Sequence, residues 1–164
     1  MAQHYLIALG SNQRHARFGS PEQVLAAALG ELDRKQVKLV AASKVIRSLP
    51  LGPSRRRYAN AAALVKTRLD PPELLDRVKQ IEARFGRRQR GQRWTARVLD
   101  LDLVLWSGGA WTSPGLTVPH PEFRQRSFVL GPAVAIAGGW RDPISGLSLR
   151  QLKARLTRPR PAPR

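Results

Sequence analysis

The segment LDLDLVL, residues 99–105, is the clearest strand signal in the chain and the point from which its fold can be worked out. Side chains alternate across a strand, so we expect the four leucines to face a core and Asp100 and Asp102 to share the opposite face. A rise of about 3.3 Å per residue places the two aspartates roughly 6–7 Å apart. Adjacent carboxylates repel each other unless something positive compensates them. A pair of arginines on a solvated face would do so, and so would a chelated divalent cation such as Mg²⁺.

The elements before this strand alternate between helix and strand. In SPEQ, residues 20–23, a capping serine precedes a proline and is followed three residues later by glutamine, which predicts a helix over 21–34. DPPE, residues 70–73, repeats the pattern and predicts a second helix that stops at Gly86. Apolar and β-branched runs predict a strand at 5–9, which ends in a turn at 10–12, and a second strand at 37–46. A third strand is expected at 58–66, although the alanines of this segment also suit a helix.

The elements after it are shorter. Extended segments are predicted at 110–112 and 116–118, and helices at 127–137 and 149–156. The order β-α-β-β-α-β is a split βαβ arrangement, so we predict an α+β fold with a ferredoxin-like core. Its mostly antiparallel sheet would be flanked by helices in a three-layer α-β-α sandwich. The 164 residues fit one domain, residues 1–156, with a frayed tail at 157–164.

Composition excludes several classes of protein. The chain contains no cysteine, which excludes a disulfide scaffold, a thiol nucleophile and a cysteine-based metal site. No apolar run approaches the ~20 residues of a membrane span, and no basic segment precedes the first apolar stretch as in a secretory signal. We therefore expect a soluble cytoplasmic protein with no membrane partner.

The chain is strongly basic, with 29 Lys and Arg against 11 Asp and Glu and a formal charge of +18. Such a surface attracts polyanions. Coding composition accounts for the surplus equally well, since 23 of the 29 cations are arginine. A small basic RNA-binding module is the main rival from another class. It would need exposed aromatics and a cationic sheet face. The clearest strand instead carries two carboxylates, so we expect no nucleic-acid partner.

Arginine is concentrated immediately before the aspartate strand. Residues 86–97 show no hydrophobic period and predict a mobile loop. Six arginines fall within the 14 residues that end there: Arg84, Arg87, Arg88, Arg90, Arg93 and Arg97. A guanidinium binds phosphate through two parallel hydrogen bonds, and a carboxylate pair beside it indicates nucleotide phosphoryl chemistry. Trp94 in this loop either stacks on a ligand or anchors the loop in the core.

These motifs together resemble the 6-hydroxymethyl-7,8-dihydropterin pyrophosphokinase family of folate biosynthesis. WTARVLDLDLV at 94–104 and VPH at 118–120 carry the resemblance, and further matches are IALGSN at 7–12, LPLGP at 49–53, YANAA at 58–62 and HPEFRQRSF at 120–128. It extends from about residue 4 to 150. It implies that ATP donates its β,γ-diphosphate to the hydroxymethyl group of the pterin and leaves as AMP, with two Mg²⁺ ions bound.

The resemblance also implies the roles of individual residues. Asp100 and Asp102 would hold both metal ions, and with Arg87 and Arg97 they would form the catalytic set. ATP would be bound by Glu82, Arg93, Trp94, Arg97, His120 and Arg126. The pterin would be bound by Ser48, Leu51, Tyr58, Asn60 and Phe128, with the two aromatic rings stacking on it and Asn60 hydrogen-bonding its edge. From the residues alone, His120 between two prolines could equally make a hydrogen bond that orders its loop.

The chain departs from the family pattern at several positions. Thr95 and Ala96 stand where the family usually has Gly-Pro, Gly115 where some relatives have an arginine, and Pro121 where tyrosine is frequent. A diverged paralogue, acting on a related pterin or with a non-catalytic binding role, is therefore the alternative. We expect small-molecule substrates and a monomer.

Overall fold

The computed structural model describes residues 1–48, 57–86 and 98–159. Within them the helices are α1 (Pro21–Leu32), α2 (Pro71–Arg84), α3 (Ser127–Ala137) and α4 (Leu149–Thr157), with a 3-10 helix at Phe123–Gln125. The strands are β1 (Gln3–Ser11), β2 (Val37–Ala42), β3 (Ile46–Ser48), β4 (Tyr58–Thr67), β5 (Asp100–Trp106), β6 (Trp111–Ser113) and β7 (Leu116–Val118). None of these helices is both long and apolar enough to cross a membrane.

The main sheet is antiparallel, with the strand order β2-β4-β1-β5. The short strand β3 also pairs with β4, and β6 and β7 form a separate hairpin. Each helix of the two βαβ units connects strands that are separated in the sheet by one other strand. This is the split arrangement that the element order predicts, and it confirms the ferredoxin-like core.

Two apolar cores lie on opposite faces of the sheet. In the first core, Ile7 of β1 packs with Leu25 of α1 and Val78 of α2, all fully buried. In the second core, Leu6 of β1 packs with Leu130 of α3 and other residues of α3 and α4. Consecutive residues of β1 thus point into different cores, as the alternation of a strand requires. The three-layer α-β-α prediction is confirmed.

The two predicted capping boxes are both present. The Gln23 amide donates to Ser20 Oγ at 3.3 Å, and the Ser20 amide donates to Gln23 Oε1 at 2.8 Å. At the start of α2 the same exchange joins Asp70 and Glu73, at 2.9 and 3.0 Å. Each box satisfies two amides that the first helical turn leaves without a partner. Both helices therefore begin at the predicted proline, and α1 ends two residues before its predicted end.

Several boundaries differ from the prediction. The strand predicted at 37–46 is divided into β2 and β3, because Ser43 leaves the strand to exchange two 2.9 Å hydrogen bonds with the backbone of Ala62. The turn predicted at 10–12 is also wrong in part, since Gly10 and Ser11 are the last residues of β1. Strand β6 begins one residue later than expected. Helix α4 includes Thr157, the first residue of the predicted tail.

A β-bulge in β5 reverses the side-chain orientation expected for one of the four leucines. Leu6 pairs with Leu105, but its neighbour Ile7 pairs with Leu103, so Val104 is an extra residue in β5. The bulge turns Leu105 into the second core together with Val104. The expectation that all four leucines share a face is therefore wrong for Leu105. The other three leucines do line the first core.

Candidate active site

The central strand β1 brings the predicted pterin and metal residues onto one row. Gly10 pairs with Asn60 of β4 on one side and with Asp100 of β5 on the other. Two residues earlier, Ala8 pairs with Asp102. Directly paired residues of antiparallel strands project from the same face. Ala8 packs against the second core, so the amide and both carboxylates lie on the face that α3 covers.

Gly10 forms the floor between the two halves of this row. A Cβ atom built on Gly10 would lie 3.6 Å from Asn60 Oδ1 and 3.6 Å from Tyr58 Cδ1. Any larger side chain would extend into the space beside the amide and the aromatic ring. The sequence predicts a turn at Gly10, and only the pairing of Gly10 with Asn60 and Asp100 indicates a place in the site.

The Asn60 side chain is held in a fixed orientation. It is 4% exposed, and its Nδ2 donates to Ser48 Oγ at 2.7 Å. Ser48 lies on β3, where it pairs directly with Tyr58. The amide nitrogen is thus directed toward β3, and the amide oxygen lies on the side of Gly10. A buried polar group oriented in this way increases the affinity of a ligand that completes its hydrogen bonds, and lowers the affinity of a ligand that leaves them unmade.

The two predicted stacking aromatics occupy different layers. Tyr58 begins β4, whereas Phe128 is the second residue of α3 and packs against the second core. Both are partly buried. Helix α3 lies over β3 and β4, where a Cβ built on Gly131 would be 3.8 Å from Ile46 Cδ1. One ring is therefore supplied by the sheet and one by the helix layer above it.

A buried glutamate supports the strand that carries the aspartates. Glu82, in the last turn of α2, is 1% exposed and accepts a hydrogen bond from the Leu101 amide at 2.9 Å. Leu101 lies between Asp100 and Asp102, so α2 fixes the backbone from which both carboxylates project. Sequence reasoning placed Glu82 at ATP, and the described contact adds a role in positioning β5.

Asp100 and Asp102 are partly exposed, in contrast to the buried leucines between and beside them. Among the described residues no group of three His, Asp or Glu side chains could hold a metal ion. Two carboxylates on a rigid strand fit Mg²⁺, which takes one or two protein oxygens and completes its octahedron with water and phosphate. They do not fit a structural zinc site, which needs four protein ligands.

His120 is attached to β5 beside the bulge. Its backbone amide donates to the Val104 carbonyl at 3.0 Å, two residues beyond Asp102. One residue earlier in the chain, the peptide bond between Val118 and Pro119 is cis. His120 Nδ1 accepts a hydrogen bond from the Glu122 amide at 3.2 Å, so the loop-ordering bond weighed above is present. A neutral ring that accepts at Nδ1 carries its proton on Nε2, which leaves a donor for a ligand.

Arg126 stands at the entrance to α3. Its guanidinium forms an ion pair with Glu122, and its Cζ lies 5.8 Å from the centre of the Phe128 ring. The arginine side chain is 28% exposed and the glutamate 60% exposed. The ion pair between Glu122 and Arg126 was not predicted from the sequence.

Five predicted site residues lie outside the described part of the chain: Leu51, Arg87, Arg93, Trp94 and Arg97. The LPLGP segment at 49–53 lies there too, as do residues 87–97 of the predicted mobile loop at 86–97. Their roles remain predictions.

A family model and individual relatives of known name both match this chain. The model of 7,8-dihydro-6-hydroxymethylpterin-pyrophosphokinase matches residues 6–138. A 2-amino-4-hydroxy-6-hydroxymethyldihydropteridine pyrophosphokinase of Pseudomonas aeruginosa is 38% identical over 156 residues, which cover 94% of this chain and 92% of the relative. A protein of the same name from Synechocystis is 39% identical over 71% of this chain, but the match spans only 59% of that relative.

The fold is also found among solved structures. The crystal structure of wild-type Plasmodium falciparum HPPK-DHPS matches 94% of this chain with a TM-score of 0.71 at 12% identity. The matched region is 45% of that longer chain. At this identity the likeness concerns the fold alone, whereas the family model and the Pseudomonas relative cover most of the chain at the level of sequence. The chain belongs to the 7,8-dihydro-6-hydroxymethylpterin-pyrophosphokinase family.

Proposed function

We propose that this protein transfers the intact β,γ-diphosphate of ATP to the hydroxymethyl oxygen of 6-hydroxymethyl-7,8-dihydropterin and releases AMP, as a step of folate biosynthesis. Family membership supports the reaction class. The observation that carries the proposal is the row formed by Asn60, Gly10 and Asp100, which brings an oriented amide and a carboxylate pair together on one face of the sheet. A ring-binding group and a metal-binding group in this arrangement suit a pterin beside a nucleotide triphosphate.

The pterin binds at the Asn60 end. Tyr58 and Phe128 stack on its two faces, and each aromatic contact contributes about 0.5–1.5 kcal/mol beyond the area that it buries. Asn60 hydrogen-bonds the amide-like edge of the ring. Ser48 Oγ accepts a 2.7 Å hydrogen bond from Asn60 Nδ2 and so determines which atom of the amide faces the pterin ring. Ser48 and Leu51 add backbone contacts.

ATP binds at the aspartate end. Asp100 and Asp102 would hold two Mg²⁺ ions, which when bound would offset the negative charge of the triphosphate. Arg126 and His120 Nε2 donate to phosphate oxygens from the segment beside β5. Glu82 fixes the backbone of Leu101 between the two aspartates. The remaining ATP contacts come from residues outside the described ranges: Arg87, Arg93, Trp94 and Arg97.

In the transfer itself, the pterin hydroxymethyl oxygen forms a bond to the β-phosphorus of ATP. The bond from that phosphorus to the oxygen bridging the α-phosphate breaks, AMP leaves with the electron pair, and the hydroxyl proton passes to solvent water. The protein contributes mainly by alignment, because holding two reactants in register removes much of the entropic barrier. Arg87 and Arg97 would offset the negative charge that develops on the phosphate oxygens during transfer. We assign no general base.

We further propose that the catalytic domain extends from residue 1 to the end of α4 at Thr157, one residue beyond the boundary expected from the sequence, and that the enzyme is a monomer acting on small molecules in the cytoplasm. Packing of α4 into the second core supports its inclusion in the domain. Size-exclusion chromatography with light scattering tests the oligomeric state.

The reaction is tested by incubating the purified protein with Mg-ATP and 6-hydroxymethyl-7,8-dihydropterin and separating the nucleotides by chromatography. We expect AMP that depends on both the pterin and Mg²⁺. Asn60→Ala should lose pterin binding while ATP binding is retained, and Lys153→Ala, on the exposed face of α4, is the matched control. ADP as the product, or AMP formed without the pterin, would refute the proposal.

A further inference from the structure

An ion pair outside the row of site residues joins two segments that are distant in sequence. Arg124 lies in the 3-10 helix Phe123–Gln125, and Asp142 lies in the turn between α3 and α4. Arg124 Nε donates to Asp142 Oδ2 at 2.6 Å, and Arg124 Nη2 donates to Asp142 Oδ1 at 2.8 Å. The Asp142 side chain is 0% exposed and that of Arg124 is 27% exposed. The paired, nearly parallel bonds fix both the distance and the orientation of the two groups.

Asp142 is itself held rigidly by its own turn. Its carboxylate also accepts from Ser145 Oγ at 2.7 Å and from the Ile144 amide at 3.1 Å. Its backbone exchanges hydrogen bonds with Gly146 and Leu147, both at 2.8 Å. Burial by itself would raise the pKa of Asp142, but the hydrogen bonds from Arg124, Ser145 and the Ile144 amide, with the charge of Arg124, lower it to about 2. The carboxylate is therefore a fixed, permanently charged anchor at neutral pH.

The other end of the ion pair belongs to the segment that carries candidate ATP ligands. The 3-10 helix lies between His120 and Arg126, and the Arg126 amide donates to the Phe123 carbonyl at 3.2 Å. The guanidinium of Arg124 lies 4.6 Å from the centre of the Phe123 ring, which is buried in the second core. The position of Arg124 thus sets the position of a short turn that has a candidate phosphate donor at each end.

Stability alone is a weak reason for this arrangement. A buried ion pair loses so much hydration that apolar residues of similar size often stabilise a protein as well or better. The charged pair instead fixes one relative position of the Arg124 and Asp142 side chains. Asp142 is also the only acidic residue between positions 123 and 159, so no other carboxylate in that stretch could replace it as the partner of Arg124.

We propose that Asp142 is a positioning residue for ATP binding, acting through Arg124 to hold the turn at residues 120–126 so that His120 and Arg126 meet the triphosphate together. The inference rests on the proposed function and assigns a role to a residue that contacts neither substrate. Phe128 is held by α3 itself, so binding of the pterin ring depends much less on the ion pair.

The test compares Asp142→Asn with the wild-type protein in three measurements made well below the melting temperature. Isothermal titration with a non-hydrolysable ATP analogue and Mg²⁺ should show a dissociation constant raised at least about tenfold, while that of the pterin changes less than about threefold. Hydrogen exchange should accelerate at the amides of residues 120 and 122–126 and not in α1. Arg124→Lys keeps the charge without the paired bonds, so it should be intermediate. The double variant Arg124→Met with Asp142→Asn should be no worse than Asp142→Asn alone.

Val24→Ala is the matched control, because Val24 is fully buried in the first core on the other side of the sheet. It should lower the melting temperature without changing either dissociation constant. If Asp142→Asn behaves like this control, the ion pair serves stability only and the proposal is overturned. If Asp142→Asn does not fold, Arg124→Lys decides by the same criteria. Wild-type protein that forms no AMP would refute the proposed function, whereas normal wild-type activity with unchanged ATP affinity in the variants would refute this inference alone.

Discussion

Replacing Glu82 by alanine should damage both the stability of the protein and its use of Mg²⁺. The Glu82 carboxylate is 1% exposed and accepts the Leu101 amide at 2.9 Å. Without it, a buried N–H loses its acceptor, which costs about 1–3 kcal/mol. The lost methylene adds about 0.8 kcal/mol of apolar burial. The free energy of unfolding should therefore fall by about 2–4 kcal/mol, which for a domain of this size lowers the melting temperature by about 4–15 °C.

The effect on metal follows from where Leu101 lies. The Leu101 amide lies between the two aspartates, so the loss of its hydrogen bond loosens the backbone that sets the distance between the two carboxylates. Mutation of residues that support metal ligands in this way typically lowers metal affinity about 10–100-fold. We expect Glu82→Ala to raise the Mg²⁺ concentration for half-maximal AMP formation by at least about tenfold. Glu82→Gln keeps an oxygen acceptor and should retain most of the stability.

Differential scanning fluorimetry and a Mg²⁺ titration of AMP formation measure the two effects. Glu31→Ala is the control, since it removes a carboxylate of α1 that pairs at the surface with Arg34, just beyond the helix, and with Arg84 of α2. Such pairs contribute about 0–1 kcal/mol, so this variant should change neither measurement appreciably. A Glu82→Ala protein that melts like the wild type, or that melts lower but needs no more Mg²⁺, would refute the reasoning.

Three further predictions follow from the same geometry. Asp100→Ala and Asp102→Ala should each abolish pterin-dependent AMP formation while circular dichroism stays native, and near-normal turnover in both would contradict their metal role. Glu122→Gln releases Arg126 from its ion pair, worth about 0.2–1 kcal/mol at an exposed site, so calorimetry should show ATP binding up to about fivefold tighter; weaker binding would count against competition between Glu122 and phosphate. The pKa of Asp142 is about 2 in the folded protein against an ordinary 3.8, so its stabilisation of about 2 kcal/mol is present above pH 4 and lost as the pH falls toward 2. Urea unfolding of Asp142→Asn should lack this part of the acid slope, and an unchanged slope would contradict the assignment.

The helix starts could be predicted because their causes are local. Ser20 and Gln23, like Asp70 and Glu73, are three residues apart, and the hydrogen bonds that they exchange depend on that spacing alone. The alternation of residues 99–103 likewise placed the aspartates opposite the leucines. Spacing of this kind fixes which face a side chain occupies before any tertiary contact is known.

The features that the sequence did not predict depend on partners elsewhere in the chain. The bulge at Val104 arises from the pairing of β5 with β1, and nothing in residues 99–105 marks it. Gly10 resembled a turn residue because its place between Asn60 and Asp100 exists only in the assembled sheet. The pairing of Arg124 with Asp142 spans 18 residues and a whole helix, which no periodicity reveals.

The pairing of Gly10 with both Asn60 and Asp100 fixes the distance between the two ends of the proposed site. Neighbouring strands are about 4.8 Å apart, so the columns that contain Asn60 and Asp100 are separated by about 10 Å of hydrogen-bonded backbone. On the proposed assignment, the backbone therefore sets the spacing between the pterin end and the ATP end of the site, and substitution of a side chain at either end leaves that spacing unchanged. Substitutions in β3 and β4 would then change which ring is bound without altering the residues of β5 assigned to ATP.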